Sequence, residues 1–302
     1  MAPPAAAGLA RLIAGSTAGR VAFLGLAKNV GKTTALVAAL AALDEMPVAA
    51  GATSAGRDGE EFDALTGEEK PRFFLRAGQL VASAASTFRP QTSQRLRVLP
   101  LATRFGAIEV HRLLQDGAME VIGPATVSQM AEAARALLEC GAAVVLIDGA
   151  FGRRAFASAR AADAIVLSVG LAAGRDLDAA VEAARLAAEL IALPAPPPKE
   201  PVRSFEGALT DASFEDASVT RGEILVAEDF ASIFLSPARR RALAGSGVRL
   251  AVRRPARIVA VTANPTAPGG RSEPPRRLFD ALAEALPGLP LFDLEAGLAR
   301  IP

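Results

Sequence analysis

The sequence predicts an α/β fold, a mostly parallel sheet flanked by helices, and three observations predict it. Apolar runs of strand length, VAFLG at 21–25, AVVLI at 143–147 and AIVLSV at 164–169, lack the alternation of a half-exposed strand. They read as strands buried on both faces. Between them lie segments with one apolar face, so strands alternate with helices over residues 20–192, the pattern of a parallel sheet with crossover helices. Finally, a glycine-bearing bend joins the first strand to the first helix.

The elements follow in order. After the strand at 21–25 a helix starts at Thr33 and carries Leu36, Leu40 and Leu43 along one face. Pro47 to Thr53 reads as a second strand, and the polar stretch 56–71 is long for an idle connection. Residues 107–114 and 118–122 predict an inserted hairpin turning at Asp116-Gly117. A helix runs from Thr126 to Cys140, where Gly141 stops it. The strand 143–147 ends at Asp148, and a helix spans Asp176 to Ala192. PAPPPKEPV, 194–202, can continue neither element because proline lacks the backbone donor. The sequence therefore divides into a nucleotide-binding region at 1–193, a proline-rich linker at 194–202 and a C-terminal α/β extension at 203–302. In the last part, 223–227, 249–253, 257–262 and 291–292 read as strands and 274–286 as a helix. These strands either prolong the main sheet or build a small lobe.

Bulk properties narrow the function. The 302 residues are 51% hydrophobic and 22% charged, a globular balance. With 33 basic and 32 acidic residues the net charge is +1, so neither a nucleic-acid footprint nor a basic membrane patch is expected. Cys140 and His111 are the only residues of their kinds. That excludes an intrachain disulfide and makes a zinc or histidine-based triad a poor reading. Cys140 reads as a small buried hydrophobe. His111, near Ile108 and Val110, reads as an ordinary strand histidine. The N-terminus is apolar but has no positive leading region, and Arg11 interrupts it. It is not expected to be a signal peptide, and no apolar stretch has spanning length. A soluble, cytoplasmic protein is expected.

The chemistry lies in GLAKNVGKTT, Gly25 to Thr34, between an apolar strand and a leucine-striped helix. A polyphosphate needs inward backbone N–H groups, a helix N-terminus and a flexible cation. The backbone of Asn29, Val30 and Gly31 supplies the first. Lys32 reaches β- and γ-phosphates, the Thr33 hydroxyl ligates Mg2+, and Thr34 holds the α-phosphate side. The first glycine stands one residue earlier than in G-x-x-x-x-G-K-[ST], and Lys28 is a candidate catalytic cation within the longer loop. Asp148, at a strand end, is the candidate carboxylate for Mg2+. Asp58, with Glu60 in reserve, is the candidate to complete the metal shell or orient a water. Arg57 could line a substrate pocket, and Arg153 and Arg154 could neutralise phosphate charge. Asn264, in a loop after a late strand, is a candidate for the nucleotide base.

The longer Gly-x5-Gly-Lys-Thr loop resembles the dethiobiotin synthetase and cobyric acid synthase branch of P-loop proteins. More of the chain resembles the P-loop subunit of the lysine 5,6-aminomutase reactivase: LGLAKNVGKTT (24–34), TSAGRDGEEFDALTGEEKP (53–71), EVIGP (120–124), IDGAFGRRAFAS (147–158), ADAIVLSVG (162–170), ANPTAPGG (263–270) and LPLFDLEAG (289–297). The resemblance implies an ATPase that uses ATP and Mg2+ to release damaged cobalamin from an adenosylcobalamin-dependent aminomutase. It implies a MutS-like ATPase subunit and the aminomutase client as partners, with Lys32, Thr33 and Asp148 on Mg-ATP and the loop around Asp58 as a moving switch. A homodimer stays open. The alternative expectation is an ATP-dependent small-molecule ligase or kinase of the dethiobiotin synthetase type.

Overall fold

The computed structural model describes residues 2–55, 73–149, 157–214 and 219–302. In chain order they form α1 (Pro4–Gly15), β1 (Arg20–Gly25), α2 (Lys32–Asp44), β2 (Ala50–Ser54), β3 (Phe73–Leu75), β4 (Leu80–Ala84), β5 (Ser93–Thr103), β6 (Gly106–Leu113) and β7 (Gly117–Met119). Then come α3 (Val127–Glu139), β8 (Val144–Asp148), β9 (Ala164–Gly170), α4 (Leu177–Ile191), β10 (Val202–Ser204), β11 (Leu209–Thr210), β12 (Ile224–Ala227) and β13 (Ile233–Phe234). The chain closes with α5 (Pro237–Gly245), β14 (Arg249–Val252), β15 (Ile258–Asn264), α6 (Pro275–Ala285), β16 (Leu291–Asp293) and β17 (Leu298–Arg300).

The architecture is α/β, with a large, mostly parallel central sheet between helices. Its order is β17-β16-β15-β9-β1-β8-β2-β4-β6-β5. The run from β16 to β4 is parallel throughout. Its inner strands read as continuous apolar runs because both faces are covered: β2, β4 and β9 are buried at every position. Alternate residues serve opposite layers. Val21, Phe23, Leu146 and Val166 belong to the core under α1 and α2. Ala22, Leu24, Ile147 and Leu167 belong to the core on the other face, with α3 and α6. Two predicted helix starts are caps in the structure. Thr126 accepts from the Gln129 amide at 3.3 Å and Asp176 from the Ala179 amide at 2.8 Å, which satisfies an amide with no intrahelical acceptor.

The structure departs from two expectations and adds a helix the sequence reading did not place. The hairpin joins different strands: β6 pairs antiparallel with β5 and β4, while β7 pairs with β3. The tight turn lies before Gly106, which takes φ 105°, a conformation glycine reaches without a Cβ penalty. Asp116 instead accepts from the Ala77 amide at 2.9 Å. The second difference is α1, a helix where the sequence shows mainly alanine and proline. It buries Leu9 and Ile13, one turn apart, and Gly8 lies so close to Phe292 of β16 that a Cβ would come within 2.9 Å of the ring. Third, Cys140 is only partly buried, at the end of α3.

In the C-terminal region both alternatives occur. β15 and β16 prolong the central sheet through β9, and β10, β12 and β14 make a separate three-stranded parallel sheet.

His111 sits in β6 as a packed strand residue. Its ring stacks on Phe88 with centroids 3.7 Å apart and planes 3° apart. Nδ1 lies 2.9 Å from Ser93 Oγ, and Nε2 lies 2.7 Å from Glu109 Oε2. Burial pushes the imidazole pKa below its ordinary 6.5, against the opposing pull of Glu109. The unfolded chain therefore takes up a proton that the folded one resists. This contribution to stability is intact above about pH 6.5 and declines as pH falls below it. In urea melts between pH 7.5 and 5, wild type should lose more stability than His111→Gln, by up to about 1.4 kcal/mol per pH unit. Parallel loss in both would show that His111 titrates normally.

Candidate functional site

Parallel strands bring their C-terminal ends to one edge. Along it stand Asn264 of β15, Gly170 of β9, Gly25 of β1, Asp148 of β8 and Ser54 of β2, in neighbouring strands. The chain leaves β1 for β2, beyond β8, and later passes from β8 to β9 on the other side of β1. Connections diverge there, which is where open α/β sheets leave a crevice.

The bend from Gly25 to Thr34 rises from that edge. Leu26 N donates to Ser168 O at 3.2 Å and ties its start to β9. Val30 is buried and packs over Gly25, where a Cβ would come within 2.9 Å of Val30 Cγ2. Val30 thus offers the site only its backbone. Asn29 and Gly31 both take positive φ, 60° and 80°. Gly31 is the N-cap of α2 in the left-handed region, and among the described residues no side chain caps the helix there. The first-turn amides of Lys32, Thr33 and Thr34 therefore keep their need for an acceptor, and the helix dipole favours an anion at that end.

Two side chains of that first turn meet Asp148. Lys32 Nζ pairs with Asp148 Oδ1, and the Thr33 hydroxyl donates to Asp148 Oδ2 at 3.2 Å. The Lys32 and Asp148 side chains are only 15% and 13% exposed, so the pair is less screened than a surface salt bridge. Asp148 is fixed from both sides: its carbonyl accepts from the Ala55 amide at 2.9 Å, and the following Gly149 amide donates to Phe23 O at 3.2 Å. Lys28 and Thr34 lie exposed on the bend and the first turn of α2.

Asn264 ends β15 rather than lying in a loop. Its Nδ2 donates to Asn29 O at 3.1 Å, and its Oδ1 accepts from Thr266 N at 3.0 Å and Thr266 Oγ1 at 2.7 Å. Expected at a nucleotide base, its side chain meets the bend itself and braces the carbonyl of a residue with positive φ. Sequence reasoning missed Gly170, whose Cβ would sit 3.0 Å from Asn264 O and 3.2 Å from Val30 Cα. A glycine closing the buried run AIVLSVG was the available signal.

The structure thus brings together Gly25, Asn29, Val30, Gly31, Lys32, Thr33, Asp148 and Asn264. Asp58, Arg57, Glu60, Arg153 and Arg154 lie outside the described residues. Among the described residues no group of three or more His, Cys, Asp or Glu is placed to hold a metal ion. The Thr33 hydroxyl and Asp148 carboxylate are hard oxygen donors, a set that suits Mg2+, which uses few protein ligands and keeps several waters. No helix is long and apolar enough to cross a membrane among these residues.

No family model matches the chain, and neither a curated protein nor a solved structure is significantly similar to it. Geometry and residue chemistry therefore carry the functional argument.

Proposed function

We propose that the bend 25–34 is a P-loop and that the protein is a Mg-ATP-binding ATPase. The observation that supports this best is the convergence of Lys32 and Thr33, adjacent on the first turn of α2, on the strand-end carboxylate Asp148. An ammonium, a hydroxyl and a carboxylate then stand beside a helix N-terminus that has no capping side chain among the described residues. A triphosphate needs these groups together: amides and ammonium for its charge, and hydroxyl and carboxylate for its metal.

In this reading the amides of residues 29–34 orient the phosphates, and Lys32 swings from Asp148 toward the β- and γ-oxygens. Thr33 and Asp148 would hold Mg2+, which would supply charge neutralisation on the transferring phosphoryl group. The protein contributes positioning and electrostatics, which account for most of catalysis in phosphoryl transfer. The charged residues Asp58, Arg153 and Arg154 are proposed to serve the attacking water and the phosphate charge. The motif resemblance extends the reading to a cytoplasmic reactivase subunit that acts with a MutS-like ATPase on an aminomutase client.

Phosphate release tests the chemistry. Wild type should hydrolyse ATP slowly in Mg2+, and EDTA should abolish the activity. Asp148→Asn should lower it on the order of 10²-fold with ATP still bound. Full activity in Asp148→Asn would remove the carboxylate from the mechanism. In a pull-down from native cell extract on the tagged full chain, recovery of an aminomutase or a MutS-like ATPase that depends on a non-hydrolysable ATP analogue would support the reactivase reading. Hydrolysis that rises only with a small metabolite would select the ligase or kinase alternative.

A further inference from the structure

A cleft of about 310 Å³ lies between α4 and α5, with β14 beside them. That volume is at the small end of the range for small-molecule sites, about 300–1,000 Å³, and the cleft shares no residue with the bend 25–34. One wall is a leucine stripe: Leu186 and Leu190, one turn apart on α4, and Leu193 just beyond the helix. Leu243 of α5, Val248 and Leu250 of β14 complete the apolar surface. Leu190, Leu243 and Val248 are rooted in the core, while Leu186, Leu193 and Leu250 are only half-buried. These half-buried leucines leave apolar area that an apolar ligand would remove from water.

Charge at this cleft is uneven. Its lining carries three arginines, Arg185, Arg240 and Arg241, and one glutamate, Glu189. Arg185 is already neutralised, since it pairs with Glu189 and donates to the two Glu182 oxygens at 2.7 and 2.8 Å. Both carboxylates are thereby engaged. Among the described residues, Arg240 and Arg241 have no carboxylate at salt-bridge distance. Arg240 uses one of its five N–H groups on Leu186 O, at 3.2 Å. Its Nε is shut off from water with no partner among the described residues. The Glu182 carboxyl is held below its ordinary range first by its hydrogen bond to Arg185, and least by Arg241 and Arg240, which act through space.

From this apolar wall beside two guanidiniums that lack a contacting carboxylate, we infer that the cleft binds a small monocarboxylate with an apolar body, a medium-chain or aryl-substituted acid. The carboxylate meets Arg240 and Arg241, whose planar donor pairs match its two oxygens. The body lies along Leu186, Leu193 and Leu250. A ligand ammonium finds no partner, because Arg185 holds both glutamates. Arg240 is positioned in advance: it bridges α5 to the Leu186 carbonyl of α4, so little ordering entropy is lost on binding.

Calorimetric titration of the nucleotide-free full chain with hexanoate, octanoate and phenylacetate tests this, with acetate and the three primary amides as controls. At least one of these acids should bind saturably with one-to-one stoichiometry. Its amide, which lacks the charge, and acetate, which lacks the body, should each bind about 10-fold or more weakly. Arg240→Gln combined with Arg241→Gln should weaken the acid to the level of its amide and leave the amide unchanged. Ala244→Trp, at an exposed position lining the cleft, should weaken both by filling the space. Lys32→Ala should change neither, which separates this site from the phosphate-binding bend. No saturable binding by any of the three acids would overturn the inference. So would equal affinity for acid and amide, binding indifferent to the arginine pair or to Ala244→Trp, or binding lost in Lys32→Ala.

Discussion

Lys32→Ala is expected to abolish stabilisation of the fold by Mg-ATP. A ligand held at about 100 times its Kd stabilises the native state by about 2.7 kcal/mol. At roughly 2–4 °C per kcal/mol for a domain of this size, the wild-type melting midpoint should rise on the order of 5–10 °C. In the variant it should barely move. The ammonium is the only side-chain cation in contact with Asp148 among the described residues, and in the proposed complex it serves the β- and γ-phosphates, so its loss removes the side-chain cation that offsets the charge of the phosphate tail. Truncation also leaves Asp148 unpaired at 13% side-chain exposure, so the unliganded midpoint should fall modestly. Lys199→Ala, at an exposed lysine remote in sequence, controls for a generic loss of charge. A nucleotide-dependent shift of wild-type size in Lys32→Ala would end the case for the bend as a phosphate site.

Gly123→Ala should be strongly destabilising, because it adds a methyl to the strap 120–123, which bonds β2 through Val121 and β4 through Ile122. A Cβ there would lie 1.8 Å from Ser54 O and 2.9 Å from both Ser54 C and Thr53 Oγ1. The first two are backbone atoms of β2, a central strand buried at every position, so no side chain can rotate away. Overpacking a core costs about 1–3 kcal/mol when neighbours relax. Here relief requires lifting the strap, with the Ser54–Val121 and Ser83–Ile122 bonds at risk. A loss of about 3 kcal/mol or more in denaturant melts is expected. Gly15→Ala, in α1 with nothing within 4 Å of the added carbon, should be neutral or mildly stabilising. If Gly123→Ala melted with Gly15→Ala, the strap could not be packed on β2 as described.

These two sites differ in how far the sequence reveals them. Residues 25–34 are contiguous, and their chemistry is local: a buried run, a glycine able to adopt positive φ, then Lys-Thr opening a helix. Gly31 takes φ 80°, and α2 begins at Lys32, one residue before the expected start at Thr33. Gly123, by contrast, carries no local sign of its importance, because what forbids a side chain there is the backbone of a strand about seventy residues earlier. The hairpin was misread for a related reason. Asp116-Gly117 has turn chemistry, and 107–113 has strand chemistry, but neither names a partner strand. Packing of β6 between β4 and β5 decided that.

By itself, the order of residues determined the α/β alternation, the strand-end position of Asp148 and the helix-opening Lys32 and Thr33, because apolar period and backbone permissiveness are properties of neighbours along the chain. Tertiary structure alone decided that Asp148 receives both side chains, that Asn264 reaches Asn29 across 235 positions, and that α1 lies near Phe292. Strand order and register come from burying two faces of one sheet at once. That is a condition on the whole molecule, and no single segment records it.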